Sequence, residues 1–234
     1  MRSMALAGFG ALVLSASGAH AQLDTVRADG AVRLSLEVGV DSSHTYALRG
    51  GERRRIMTYV ETISEVPDGF LIVGENVRPD GQSFSIDSLI VSGERLAPIW
   101  HSDHSPAGHM DVRYEGGRMR GASDSAGTSR PVDAEVPAGS FDYSMARMIV
   151  NQLPLAPGYA GVVMTHDIRR GTVPLPFRVL GEEEITVGGK SSKAWKVEVD
   201  LGRAKAVRWI DQLTRRDLRT SITFPGGEMV AEPG

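Results

Sequence analysis

The chain has 234 residues, 41% hydrophobic and 24% charged, a balance that excludes a globally disordered protein. Its formal net charge of −3 leaves no basic footprint for nucleic acid. It contains no cysteine, which excludes disulfides, thiolate catalysis, thiolate metal sites and a lipobox.

Residues 1–21 read as a cleavable secretory signal peptide. Arg2 forms a short positive region, Met4 to Leu14 an apolar core, and Ala19-His20-Ala21 an A-x-A cleavage box ahead of Gln22. A membrane span needs about 20 apolar residues, and this stretch is too short and too rich in Gly and Ser. No other segment is apolar enough to span a bilayer. The expectation is export to a bacterial periplasm, with secretion as the alternative. Residues 22–234 are then expected to form one β-rich domain, a length that supports a core without disulfides.

The mature part repeats short alternating runs separated by turns. Leu34, Leu36, Val38 and Val40 alternate with smaller or polar residues and predict a strand. Further strands are predicted from Ile56 to Val66, from Phe70 to Val73 after the Pro67-Asp68-Gly69 turn, and from Phe84 to Val91. Leu96 to Trp100, Asp111 to Tyr114 and Arg118 to Gly121 follow. Residues 122–140 are rich in Ser, Ala, Gly and Pro and predict a loop. Helical spacing of Met145, Met148, Ile149 and Leu153 then predicts one short helix from Phe141 to Leu153. Ser140 or Asp142 is its expected cap, and Pro154 and Pro157 its stop. Strands return at Gly161 to Ile168, Leu175 to Glu184, and the Ile185 to Lys196 hairpin around Gly188-Gly189. Ala206 to Ile210, Leu218 to Phe224 and Glu228 to Ala231 complete the set.

The fold class is therefore mainly β: an antiparallel curled sheet or half-barrel of about ten to twelve strands, with the helix covering the concave face.

The segment Trp209-Ile210-Asp211-Gln212-Leu213-Thr214-Arg215-Arg216-Asp217-Leu218-Arg219 resembles the closing hairpin of exported bacterial half-barrel proteins. In those, a strand ending in W-[IV]-D precedes a Thr-containing turn and a strand that opens with a basic residue. The Val136-Pro137-Ala138-Gly139-Ser140-Phe141 entry and the Leu153-Pro154-Leu155 exit of the helix resemble an uncharacterised family known as a domain of unknown function. The pattern runs from Val32 to Ala231. More distantly, the plan is similar to the LolA/LolB lipoprotein carriers, a resemblance that implies an acyl chain held in an apolar concavity. The Asp-plus-Thr turn has a plain structural role as well, because both side chains satisfy turn backbone groups.

Several groups are candidates for chemistry. His101, His104 and His109 form H-x2-H-x4-H with Asp103 and Asp111 nearby, and imidazole with carboxylate can bind zinc or another divalent metal in a cysteine-free site. Their Ser/Pro/Gly setting reads as the tip of a hairpin, solvated rather than metal-bound. Gly121-Ala122-Ser123-Asp124-Ser125 lacks the context of a nucleophile elbow. Glu182-Glu183-Glu184 reads as a solvated sheet edge, and Arg53-Arg54-Arg55 as a solvated strand start or an anion contact. Of the 26 basic residues, only Lys190, Lys193, Lys196 and Lys205 are lysine. That bias follows from a GC-rich genome or from Arg sites for phosphate and carboxylate.

Met145, Met148 and Ile149 read either as core or as a deformable lining for an apolar ligand, with Trp100, Trp195 and Trp209 lining the same hollow. The expected function is that of a non-enzymatic exported protein, without cofactor, that binds a lipid-like ligand or an envelope protein partner. Two alternatives stand beside it: an envelope structural protein with a self-filled concavity, and a metal-dependent hydrolase using the three-His loop.

Overall fold

A computed structural model describes residues 24–30, 34, 36–202 and 204–234; the predicted leader lies outside them. In chain order the strands are β1 (Asp24–Val26), β2 (Gly39–Arg49), β3 (Glu52–Val66), β4 (Gly69–Val77), β5 (Ser83–Ser92), β6 (Pro98–Ser105), β7 (Gly108–Glu115), β8 (Arg118–Ser125), β9 (Thr128–Glu135) and β10 (Phe141–Asp142). A 3-10 turn, Tyr143–Met145, leads into the single described α-helix, α1 (Ala146–Gln152). Then come β11 (Ala160–Asp167), β12 (Gly171–Val187), β13 (Lys190–Asp200), β14 (Lys205–Asp211), β15 (Asp217–Phe224) and β16 (Gly227–Pro233).

All 16 strands among the described residues belong to one sheet. Two antiparallel meanders, β2–β9 and β11–β16, are joined edge to edge where β16 pairs with β2. β1 and β10 pair with β11 in parallel. β1 and β9 stand at opposite ends of the strand order, so the sheet is open. It is also curled, because strands far apart in that order meet through side chains. Arg169, in the β11–β12 turn, bonds Asp103 of β6 at 2.8 Å, and Ile168 packs with Met110, Val112 and Met119 of β7 and β8.

The segment linking the two meanders runs through the concave side. There Phe141, Met145, Ile149 and Leu153 are fully buried. They pack on the alternating inward residues of both meanders, including Leu89 and Val91 of β5, Val197 and Val199 of β13, and Ile210 of β14. A seven-residue helix has little stability alone, so this contact holds it.

The strand count exceeds the ten to twelve expected, for identifiable reasons. Beyond Val40, β2 gives no strand signal because its central run, Asp41-Ser42-Ser43-His44-Thr45, shows no apolar alternation. The strand expected from Leu34 begins instead at Gly39; Leu34 is buried in the core as irregular chain. The predicted loop over 122–140 contains most of the β8–β9 hairpin. Gly127 does mark the hairpin turn, at φ 77°, but the flanking Gly121 and the internal Pro131 are not loop signals here. Gly121 lies under β7, where a side chain would strike the backbone of Asp111 and Val112. Pro131 sits on an end strand, where a missing N–H and nearby charges blunt the open edge. The helix is shorter than expected because Asp142 stays extended, at φ −69° and ψ 142°, pairs with β11, and caps Ser144 through its side chain. Glu182–Glu184 lie on the end of β12 that runs past β11, so they pair with β13 alone and form the exposed edge expected, where Glu183 pairs with Lys196.

Candidate functional site

Strand alternation sends a few charged side chains into the concave face, and these build two buried networks. The first centres on His101. In β6 it faces inward opposite Val112, beside Leu89 of β5. Its Nδ1 lies 2.7 Å from Asp142 Oδ2 and its Nε2 lies 2.5 Å from Asp87 Oδ1. The Tyr114 hydroxyl donates to Asp142 Oδ2 at 2.8 Å, and the Ser144 amide and hydroxyl donate to Oδ1. Burial opposes charge on His101, but the two carboxylates outweigh it and push its pKa up to about 10. Burial likewise opposes ionisation of Asp142, and the bonds from His101, Ser144 and Tyr114 hold it below the usual carboxylate range. Both imidazole nitrogens therefore donate, and the imidazolium ties β5 and β6 to β10.

The predicted three-His site does not assemble. His104 pairs with His109 across β6 and β7, ring centres 5.7 Å apart, while His101 points inward with both nitrogens bonded. The stretch is the tip of the β6–β7 hairpin, as expected, with an exposed turn at Pro106-Ala107, but His101 at its base is 4% exposed rather than solvated. Among the described residues no group of three or more His, Cys, Asp or Glu has metal-binding geometry.

The second network fixes α1 over the sheet. Arg147 Nη2 donates to Glu61 Oε2 of β3 at 2.5 Å, and its Nη1 to Asp217 Oδ2 of β15 at 3.2 Å. Arg208 of β14, 4% exposed, forks onto Asp217 at 2.7 Å and reaches Asn151 Oδ1 and the Arg147 carbonyl. The Tyr59 hydroxyl donates to Glu61 at 3.2 Å. Burial opposes charge on Asp217, yet Arg208 and Arg147 hold its carboxyl low. Two cations and two anions cancel, which is the condition for burying them together.

Beyond this network α1 stops covering the sheet, and two hollows adjoin at Arg147, Glu61 and Asp41, each about 270 Å3. The first lies over β2, β3, β15 and β16. Its floor is Met57, Tyr59, Ile222, Met229 and Ala231, with Arg147 and Asp217 at its inner end. Tyr59 lies across Gly74 of β4, where an added Cβ would come within 2.5 Å of its hydroxyl. The second hollow is more polar, walled by Leu36, Glu37, Val40, Met148, Arg215 and Arg216. Small-molecule sites occupy about 300–1,000 Å3, so each hollow alone lies just under that range.

Of the residues selected from the sequence for an apolar lining, Met148 borders the second hollow. Met145 and Ile149 are enclosed in the core, and Trp195 packs against it. Trp209 alternates with the inward Arg208 and Ile210, so it lies on the convex face between Lys196 and Arg219. Trp100 alternates with the inward His101 and donates its indole N–H to Asp111. The Arg53–Arg55 run is exposed at its strand start, with Arg53 on Glu232. The Asp211 carboxylate accepts the amides of Leu213 and Thr214 at 2.9 and 2.7 Å, as the turn chemistry requires.

This architecture is that of an open, curled antiparallel sheet with a helix on its concave face and a cleft beside the helix. The chain belongs to the family described as a protein of unknown function, DUF3108, which matches residues 45–231. That span contains the hairpin and both helix-flanking segments that carried the sequence resemblance. Among solved structures the chain is similar to the hypothetical lipoprotein YmcC from Escherichia coli (K12), with a TM-score of 0.32 and 10% identity over 82% of this chain and 83% of that one. Comparison with curated proteins returned no match. No described helix is long and apolar enough to cross a membrane.

Proposed function

We propose that this chain is an exported, non-enzymatic binding protein that holds an apolar, lipid-like ligand in the concave cleft beside α1. One observation carries the reading: the helix covers only part of the concave face and leaves an apolar floor of Met57, Ile222, Met229 and Ala231 open next to it. Burial of that floor and of the ligand drives binding at about 25 cal/mol per Å2, before ordering costs. Methionine suits such a floor, because its flexible thioether adapts to ligand shape. The signal peptide read at residues 1–21 supports a periplasmic setting, and the sequence resemblance to the LolA/LolB carriers supports an acyl ligand.

The test is native mass spectrometry of delipidated protein after exposure to envelope lipid extract. A retained lipid adduct is expected, and Ile222→Trp, which fills the floor, abolishes it while leaving the circular dichroism spectrum unchanged. Absence of any adduct overturns the proposal. It favours the competing reading, an envelope interaction protein with a self-filled concavity, to which the fully buried Met145, Ile149 and Leu153 lend support.

A further inference from the structure

The charged residues of the second hollow pair off with a remainder. Arg147 is held by Glu61 and Asp217. Arg216 is held by Glu37 at 3.2 Å. Asp41 is exposed and accepts the amide of Ser42. Arg215 is different. Its Nη1 is shielded from solvent and has no hydrogen-bond partner, on the wall of a hollow large enough for a ligand group. A buried, unpaired guanidinium nitrogen is costly, and the cost disappears when an anion arrives.

The backbone adds a second, independent observation. Arg215 has φ 59°, in the left-handed region that L-residues with a Cβ adopt only at an energetic cost. The turn enforces it. The Arg215 amide bonds the Asp211 carbonyl, the Asp211 amide bonds the Arg216 carbonyl, and the Asp211 carboxylate takes the two amides before it. Gly or Asn fits such a position better. An arginine there carries strain, and its side chain lines the hollow that adjoins the apolar floor.

We infer that Arg215 is the headgroup site of the cleft, and that the ligand is an anionic amphiphile: its hydrocarbon lies on the Met57–Ile222–Met229 floor and its carboxylate or phosphate on the Arg215 guanidinium. This rests on the proposed function and adds the charge of the ligand to it. Planar carboxylate and phosphate oxygens match the guanidinium fork, and the contact is charge-assisted. Asp41, bathed in solvent, opposes this weakly.

Binding of palmitate, hexadecanol and hexadecylamine, which share a chain, is measured on the intact mature protein and on Arg215→Asn and Arg215→Lys. Asn accepts the left-handed backbone, so the Asn variant is expected to fold at least as stably as the parent. Palmitate is expected to bind more tightly than the other two. Arg215→Asn lowers palmitate affinity about tenfold, the loss of one charge-assisted bond, and leaves hexadecanol unchanged. Arg215→Lys restores part of the loss. Acetate, a headgroup without a chain, does not displace palmitate at equal concentration. Equal affinity for the three ligands, or an Asn variant with unchanged palmitate binding, overturns the inference and leaves the apolar cleft standing. Displacement by acetate also overturns it, because the anion would then bind without the chain. If none of the three is retained, the proposed function falls with it.

Discussion

His101 sits between two carboxylates with 4% of its surface exposed, and this fixes how the protein responds to pH. Its pKa in the folded chain, about 10, lies above the 6.5 of a free imidazole. A group raised on folding stabilises fully below its unfolded pKa, and the contribution fades as pH rises through the folded one. The His101 contribution to the urea midpoint is therefore expected to be constant below pH 6.5 and to fall steadily from pH 7 to 9.5. The loss reaches several kcal/mol by the linkage relation. In His101→Gln the starting stability is lower and the decline is absent. An unchanged slope in that variant would show that the imidazolium is not the group responsible. His166 is the opposite case. It is 2% exposed, neither ring nitrogen has a partner, and burial lowers its pKa against the pull of Asp142 and Asp167. It folds as a neutral ring.

Helix α1 is placed by Arg208 as much as by its own apolar side. Arg208 joins β14 to Asp217 on β15 and to Asn151 and the Arg147 carbonyl on the helix. Arg208→Met leaves Asp217 with only its 3.2 Å contact to Arg147 among the cations. A loss of about 3 kcal/mol is expected in urea unfolding, at the lower end for breaking a buried ion pair. Arg208→Met with Asp217→Leu recovers part of it. A single variant within 0.5 kcal/mol of the parent, the range of ordinary surface changes, would mean that the ion pair does not anchor the helix. These interactions were partly legible in the sequence. Ala206, Arg208 and Ile210 share one face of a strand, as do Asp87, Leu89 and Val91. A charge in register with apolar neighbours marks an inward polar group, although its partner is set by tertiary contact. The helix residues were legible too, since spacing grouped Met145, Met148 and Ile149. Spacing does not separate core from ligand lining, and the open floor belongs to β3, β15 and β16. Beyond Val40, β2 stayed illegible because part of it faces a hollow rather than packed side chains, so its sequence lacks apolar alternation.

At the scale of the whole molecule, the two meanders meet at β16 and β2, and the cleft lies over that seam. The linking segment packs on strands of both meanders, β5, β13 and β14 among them, and leaves the concave face over the seam open. Methyl spectra of protein labelled at methionine test this directly, because Met57 and Met229 lie on the floor while Met145 is enclosed in the core. On titration with palmitate the Met57 and Met229 methyl signals are expected to shift and the Met145 signal to stay in place. Stationary Met57 and Met229 signals at saturating ligand, or a shift confined to Met145, would contradict binding over the seam.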